Sequence, residues 1–192
     1  MTGLGSIEFQ ARKAKKRGPA PVHLWNPEFC GDLDMRIAFD GTWFYMGTPI
    51  GRKPLVQLFA SVLRHDDDGK YYLVTPVEKC GIAVEDVPFL AIEMNVDGEG
   101  KDQILSFRTN VEDQVKIDDD HPIRFEIEEN TDGLRPYILV RGRLDARVSR
   151  SVFYELVALG VHQEIDGISQ FGVWSSGRFY PMAQSSALLE DA

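Results

Sequence analysis

The chain has few cysteines and no long apolar segment. Only two of its 192 residues are cysteine, Cys30 and Cys80, and they form no CxxC motif and no Cys/His cluster. No apolar run approaches the roughly 18 residues of a membrane-spanning helix. The basic N-terminus is not followed by the apolar core of a signal peptide. We therefore expect a cytoplasmic protein with two buried thiols in a reducing compartment, in preference to a disulfide.

The chain also lacks the short motifs that mark common catalytic sites. It contains no GxSxG, P-loop, GxGxxG or HExxH pattern. Two acidic runs next to histidine, at 65–69 and 118–122, do not alternate oxygen donors around a glycine as calcium loops do. We interpret both runs as solvated loops. The sequence predicts no cofactor and no metal site, and enzymatic function is the least supported hypothesis.

Positive charge is scarce over most of the chain. Lys and Arg total 21 against 30 Asp and Glu, which gives a net charge of −9. Residues 1–21 are an exception, with five bases and one acid. The rest of the molecule repels phosphate-rich surfaces, because binding to them needs a positive footprint. We expect no broad nucleic-acid binding and no membrane binding.

Hydrophobic periodicity predicts antiparallel strands and two amphipathic helices. Alternation in 35–46 around Asp40-Gly41 is typical of a hairpin. Apolar residues recur every three or four positions in 52–64 and again in 148–159, as in half-buried helices. Short strands are predicted between 80 and 141, with a last hairpin at 172–180.

The two halves of the chain form a weak internal repeat. Aligning the two helices at a spacing of 97 residues places Lys53 on Arg150. We predict an α+β protein of two small domains related by duplication, each an antiparallel sheet with one amphipathic helix.

Arginines concentrate between 133 and 150, where five of them face a single acid. Arg141 shares a strand face with Arg143, and Arg147 lies on the same side of the following helix start as Arg150. Arg52 and Lys53 begin the first helix in the same way, although cations oppose the helix dipole there. Arginine binds phosphate or carboxylate through two parallel hydrogen bonds. The cluster is therefore either an anion site or a set of structural ion pairs with the nearby acids.

Two aromatic residues accompany these bases. Tyr154 lies off the apolar stripe of its helix, and Trp174 lies in the last hairpin. Each of them has two possible roles. It stacks on the ring of a ligand, as aromatic platforms do for bases, or it packs at the edge of the core.

A series of motifs along the chain resembles a bacterial family known as the domain of unknown function number 1285. The motifs that carry the resemblance are Asp40-Gly41-Thr42-Trp43, Gly47–Ile50, Arg52–Phe59, Leu73–Lys79, Val84–Phe89 and Gly172–Gly177. The family has no established activity. The resemblance implies two α+β domains related by duplication, a second domain similar to pleckstrin-homology folds, and an interdomain groove for a nucleotide-like ligand in signalling.

With this resemblance, we predict a basic N-terminal segment (1–21), a first domain (22–79), a pleckstrin-like second domain (80–183) and a tail (184–192). The leading hypothesis is a non-enzymatic protein of bacterial signal transduction that binds a small anionic ligand at the interdomain groove. Its candidate binding residues are Arg52, Lys53, Lys79, Arg141, Arg147, Arg150, Tyr154 and Trp174. The alternative is an acidic protein-protein interaction module without a small-molecule site.

Overall fold

A computed structural model describes residues 3–14, 20–128 and 133–185. Parts of the basic N-terminal segment, the turn predicted around 130–132 and most of the predicted tail lie outside these ranges. The chain divides into two compact units. The first comprises the described residues up to Pro88 together with Gly142–Leu144, and the second comprises the others. Within the described residues, no helix is long and apolar enough to cross a membrane.

The first unit contains two α-helices and a six-stranded sheet. In chain order its elements are α1 (Leu4–Ala14), a 3-10 turn (Val22–Leu24), β1 (Phe29–Ile37), β2 (Trp43–Tyr45), β3 (Thr48–Pro49), α2 (Lys53–Ser61), β4 (Leu63–His65), β5 (Tyr71–Val74) and β6 (Lys79–Val84). The strand order in the sheet is β3-β2-β1-β6-β5-β4.

The hairpin predicted around Asp40-Gly41 is confirmed. β1 and β2 pair antiparallel, with Met35 opposite Tyr45. The turn holds because the backbone N–H of Thr42 donates to Asp40 Oδ1 at 2.9 Å and Gly41 adopts a φ of 80°.

The first predicted helix is present but shorter than its apolar pattern. α2 buries Leu55, Leu58 and Phe59, and Pro54 lies in its first turn, where a missing N–H is tolerated. The helix ends at Ser61, and Leu63 instead begins β4, opposite Leu73 of β5. Leu63 is apolar because it is buried in the sheet. It matches the helical spacing of apolar residues, and the predicted helix is therefore too long at this end.

In its described residues, the second unit contains one α-helix and two sheets. Its elements are β7 (Phe89–Asp97), a 3-10 turn (Gly100–Asp102), β8 (Ile104–Thr109), β9 (Gln114–Lys116), β10 (Ile123–Ile127), β11 (Leu134–Arg141), β12 (Leu144–Val148), α3 (Arg150–Ala158), β13 (Val161–Ile165), β14 (Ile168–Ser175) and β15 (Arg178–Gln184). One sheet has the order β9-β8-β7-β12-β11-β10, and the other has the order β13-β14-β15. The predicted second helix and terminal hairpin are thus confirmed.

The prediction of purely antiparallel sheets is wrong, because each six-stranded sheet is mixed. β1 runs parallel to β6, with Ile37 opposite Val84, and β7 runs parallel to β12, with Ala91 opposite Val148. Alternating polarity shows that a segment is a half-buried strand, but it carries no information on the direction of its neighbour. β6 belongs to the first sheet, which explains why that unit extends beyond the predicted boundary at residue 79.

Duplication of two α+β domains is supported by the sheets rather than by the helices. In each six-stranded sheet, the first three strands form one meander and the last three form another. The two meanders are joined where the first strand pairs with the sixth. α2 follows the third strand of its sheet, whereas α3 follows the sixth. The predicted 97-residue alignment of Lys53 with Arg150 therefore pairs helices at non-equivalent points. The pleckstrin-like character predicted for the second domain is not confirmed.

Each unit has its own apolar core. In the first, Trp43 and Phe59 are almost fully buried, and α1 contributes Ile7 and Ala11. The hydroxyl of Ser6 on α1 donates to the buried Glu78 at 2.9 Å. The prediction of two buried thiols is wrong for Cys30, which is exposed with the beginning of β1, whereas Cys80 is fully buried.

The terminal hairpin of the second unit is tied to the core by a buried serine. Ser175 Oγ accepts from the backbone N–H of Leu105 at 3.0 Å and donates to the carbonyl of Ile117 at 2.8 Å. Gln103 donates to the carbonyl of Trp174 at 2.8 Å. These bonds satisfy polar groups that would otherwise be buried without partners.

Gly172 of β14 lies where the terminal hairpin is closely packed. A Cβ at this position would lie 2.3 Å from the carbonyl oxygen of Tyr180 and 2.8 Å from the Cα of Pro181. We expect Gly172→Ala to lower the free energy of unfolding by about 1–3 kcal/mol through overpacking. Gly51→Ala is the control, since nothing lies within 4 Å of its added Cβ. Urea titration of both variants checks this, and equal losses of stability would contradict it.

Candidate functional site

A cleft of about 520 Å³ opens on the first unit. The segment around Trp25 forms one part of its lining, and the end of β4 with the following turn forms another. The residues that line it include Trp25, Arg64, His65, Asp66, Asp67 and Arg143. Small-molecule sites commonly have volumes of roughly 300–1,000 Å³, so this cleft is large enough for a nucleotide-sized ligand.

Arg64 holds the wall of the cleft in place. One of its terminal nitrogens donates to the carbonyls of Val22 and Trp25, at 2.8 and 2.6 Å. Its other terminal nitrogen donates to Asp66 Oδ2 at 3.1 Å. Arg64 therefore fixes the backbone that carries Trp25, and its donors are already engaged.

Asp66 is the anionic centre of a compact ion network. It accepts from Arg64 and, at 2.6 Å, from Lys79 Nζ, and all three side chains are less than one-fifth exposed. Burial on its own raises the pKa of Asp66, but the hydrogen bonds from Arg64 and Lys79 outweigh it, so the pKa lies below its ordinary value. Lys79 also lies 3.9 Å from the centre of the Tyr72 ring. The predicted binding residue Lys79 is thus held by a carboxylate and an aromatic ring.

A second acidic side chain of this turn, Asp68, is held by a tyrosine. The hydroxyl of Tyr72 donates to Asp68 Oδ2, and this bond raises the pKa of Tyr72 to about 12. Asp68 Oδ1 also accepts from the backbone N–H of Lys70 at 3.0 Å. These carboxylates stabilise the turn after β4. In the described part of the chain, no group of three or more histidine, cysteine or acidic side chains is arranged to hold a metal ion.

Arg143 offers a more accessible cation. It forms an ion pair with Asp67, whose side chain is fully exposed, and Arg143 itself is about half exposed (52 %). The backbone carbonyl of Arg143 lies 3.1 Å from His65 Nδ1, and the His65 ring stacks on Tyr71 at 4.3 Å. Exposed ion pairs contribute about 0–1 kcal/mol, so a ligand anion can replace Asp67 at little cost.

Two further predicted residues begin α2. Arg52 is the N-terminal capping residue and Lys53 is the first helical residue, and both are exposed. Among the described residues, neither side chain has a hydrogen-bond or ion-pair partner. Lys79, the third predicted residue of this domain, is instead held by Asp66.

The predicted residues of the second unit separate into different environments. Arg141 forms an ion pair with Asp113 and lies 4.9 Å from the centre of the Phe89 ring. Arg147 lies on β12, opposite Leu90. For Arg141, the structure therefore supports the hypothesis of structural ion pairs.

The aromatic candidates of the second unit also differ. Arg150 Nε donates to the hydroxyl of Tyr154 at 3.2 Å, and Tyr154 is 59 % exposed. Trp174 is half-buried, with its ring 5.4 Å from that of Phe179 and 5.0 Å from Lys101 Nζ. Arg150 and Tyr154 thus come together, as predicted.

Sequence analysis missed most of the cleft. Trp25 carries no local signal, since it lies alone between prolines in irregular chain. His65 was noted only as part of an acidic run. Arg143 was counted in the arginine cluster, but its partner Asp67 is distant in sequence.

The Asp66 network predicts a pH-dependent contribution to stability. We expect Asp66→Asn to lower the free energy of unfolding at neutral pH by about 1–2 kcal/mol, because it leaves Arg64 and Lys79 without their carboxylate. Since the folded-state pKa of Asp66 lies below 3.8, the wild type keeps this contribution above the unfolded-state value and loses it as the pH falls through the folded-state pKa. Urea titrations from neutral to acidic pH measure the difference.

The matched control is Asp67→Asn, at the neighbouring and fully exposed carboxylate. We expect this variant to change stability by less than about 0.5 kcal/mol. Equal effects of the two substitutions, or an Asp66→Asn effect that does not shrink on acidification, would contradict the assignment.

Comparison with known proteins identifies the family. Residues 20–87 match the model of the N-terminal domain of unknown function DUF1285, and residues 88–182 match that of the C-terminal domain. A crystal structure of a DUF1285 family protein from Silicibacter pomeroyi DSS-3 is 48 % identical and has a TM-score of 0.88, covering 98 % of this chain and 99 % of that one. A DUF1285 family protein from Shewanella baltica OS155 is 26 % identical, with a TM-score of 0.52, covering 66 % of this chain and 91 % of that one. No curated protein matches. The chain belongs to the DUF1285 family.

Proposed function

We propose that this protein is a non-enzymatic binding protein for a small anionic, nucleotide-like ligand and that it acts in bacterial signal transduction. The ligand occupies the cleft of the first unit, between Trp25 and Arg143. The observation that carries the proposal is an accessible guanidinium on the same cleft as an aromatic side chain, and its ion-pair partner among the described residues is an exposed carboxylate.

Arg143 binds the phosphate of the ligand. Its guanidinium offers two parallel donors that match phosphate oxygens. Asp67 is the group that the phosphate replaces, since their exposed pair is weak. Arg64 does not serve this purpose, because Asp66 and two backbone carbonyls already engage it.

Trp25 and the carboxylates of the cleft select the rest of the ligand. A heterocyclic ring stacks on the half-buried indole, an interaction worth about 1–3 kcal/mol per base. The acidic side chains of the turn accept hydrogen bonds from amino groups on that ring. These same carboxylates repel a polyanion, so a nucleoside monophosphate fits the charges of the cleft better than a triphosphate does.

The other predicted binding residues have no role in ligand binding in this proposal. Arg52 and Lys53 are exposed cations at the start of α2, and Arg150 with Tyr154 is the corresponding pair on α3. The cavity of the first unit is lined by none of these residues. The cleft is therefore the better candidate for the main site.

The alternative is an acidic protein-protein interaction module. The carboxylates between 112 and 120 would carry it, but most of them already have cationic partners. The ion pairs are Glu112 with Arg108, Asp113 with Arg141 and Asp119 with Arg178. Asp118 Oδ1 in turn lies 3.3 Å from His121 Nδ1. This internal pairing reduces the field that would attract a basic partner, so we favour the ligand-binding hypothesis.

Tryptophan fluorescence and calorimetry test the proposal with adenosine and guanosine monophosphates. We expect at least one of them to bind wild type and to quench Trp25. Replacing the guanidinium in Arg143→Gln is expected to weaken binding about 10- to 100-fold, as for loss of a charge-assisted hydrogen bond. Asp67→Asn is expected to tighten binding, because it removes the competing carboxylate.

Two controls make the result specific to the cleft. Arg150→Gln is expected to leave affinity unchanged, and Trp25→Phe to abolish the quenching. Inorganic phosphate and the triphosphates are expected to bind more weakly than the monophosphate. The proposal fails if no nucleotide binds, or if Arg150→Gln weakens binding as much as Arg143→Gln does.

A further inference from the structure

The two cysteines, 50 positions apart in sequence, lie on neighbouring parallel strands. Phe29 on β1 is opposite Lys79 on β6, and the next registered pair is Asp32 with Gly81. β1 therefore spans one more residue than β6 across this interval. The bulge places Cys30 and Gly31 together opposite Cys80, with Gly31 at a φ of 101°.

The thiols are close enough to interact directly. Cys30 lies near enough to Cys80 to contribute, after burial, to raising the pKa of that thiol. Neighbouring strands lie about 4.8 Å apart, which is within the Cα–Cα range of roughly 4.4–6.8 Å that disulfides span. The strand pairing thus brings the backbones of the two residues within the range that a disulfide can span.

The two thiols differ in their access to solvent. Cys80 is fully buried, and burial is the main reason that its pKa is raised to about 11. Cys30 is exposed, and its sulfur donates to the carbonyl of Glu28 at 3.4 Å. A soluble reagent meets Cys30, whereas Cys80 is shielded from solvent. Reactive cysteines are typically the accessible member of such a pair.

We propose that Cys30 and Cys80 form an oxidation site that reacts with hydroperoxides and closes to a disulfide between β1 and β6. The thiolate of Cys30 attacks the peroxide oxygen, the O–O bond breaks, and Cys30 becomes a sulfenic acid while water or an alcohol leaves. Cys80 then gives up its proton and attacks the sulfur of Cys30. The S–S bond forms and a second water leaves.

The reaction balances in electrons and protons. Two thiols lose two electrons and two protons, and the hydroperoxide takes up both electrons as its O–O bond breaks. A dithiol reductant reverses the step by thiol-disulfide exchange. The pair is independent of the nucleotide proposal, since neither sulfur lines the cleft.

Peptide mapping of the full-length wild type tests the proposal. The reduced protein is treated with hydrogen peroxide under native conditions, alkylated with N-ethylmaleimide and digested. We expect one linked pair of peptides containing Cys30 and Cys80, loss of two hydrogens in the intact mass, and recovery of both thiols with dithiothreitol. A wild type that keeps both alkylatable thiols, or that links Cys30 to a second chain, would overturn it.

Two variants assign the roles of the cysteines. In Cys80→Ala, Cys30 has no resolving partner, so we expect dimedone to trap its sulfenic acid and further peroxide to yield sulfinic acid. In Cys30→Ala, the buried Cys80 is expected to stay reduced and unalkylated under native conditions. Circular dichroism checks that both variants fold. The peptide mapping of wild type does not depend on either variant. Equal sulfinic acid formation at Cys30 in wild type and Cys80→Ala would refute the pairing.

Discussion

The parallel pairing of the first and sixth strands is the interaction on which each domain of this protein depends. In both six-stranded sheets, one such pair joins two antiparallel meanders into a continuous sheet. Parallel neighbours need a long connection between them, and here the intervening strands of the two meanders supply it. In the first domain the same pairing sets Cys30 against Cys80 and the carboxylate of Asp32 against Gly81, where no side chain competes for the space.

Local patterns predicted the elements, but not how they pair. The Asp40-Gly41 hairpin and both amphipathic helices followed from turn chemistry and periodicity, which act over a few residues. Strand direction depends on partners far away in sequence, so the parallel pairs were missed. The predicted first helix includes Leu63, which belongs to β4, for a related reason: a buried strand residue and a buried helix residue are equally apolar.

The candidate site was harder to predict, because charges that are close in sequence separate in the fold. The arginines of 133–150 take different partners: Arg141 pairs with Asp113, Arg143 with Asp67, and Arg150 with the hydroxyl of Tyr154. The local excess of arginine in the sequence therefore corresponds to separate ion pairs and hydrogen bonds in the fold, and not to one positive patch. What distinguishes Arg143 is the exposure of its carboxylate partner, and no sequence pattern reports exposure of a partner 76 residues away.

Strand geometry also explains how the first domain keeps two chemistries apart on one strand. Successive residues of β6 point to opposite faces of the sheet, so Lys79 and Cys80 face different surroundings. Lys79 lies over the ring of Tyr72 and pairs with Asp66 at the cleft, whereas Cys80 is buried beside Cys30. A disulfide would join β1 to β6 at the pairing that unites the two meanders. Oxidation would therefore cross-link the sheet without consuming any group proposed to contact the ligand, since neither cysteine lines the cleft.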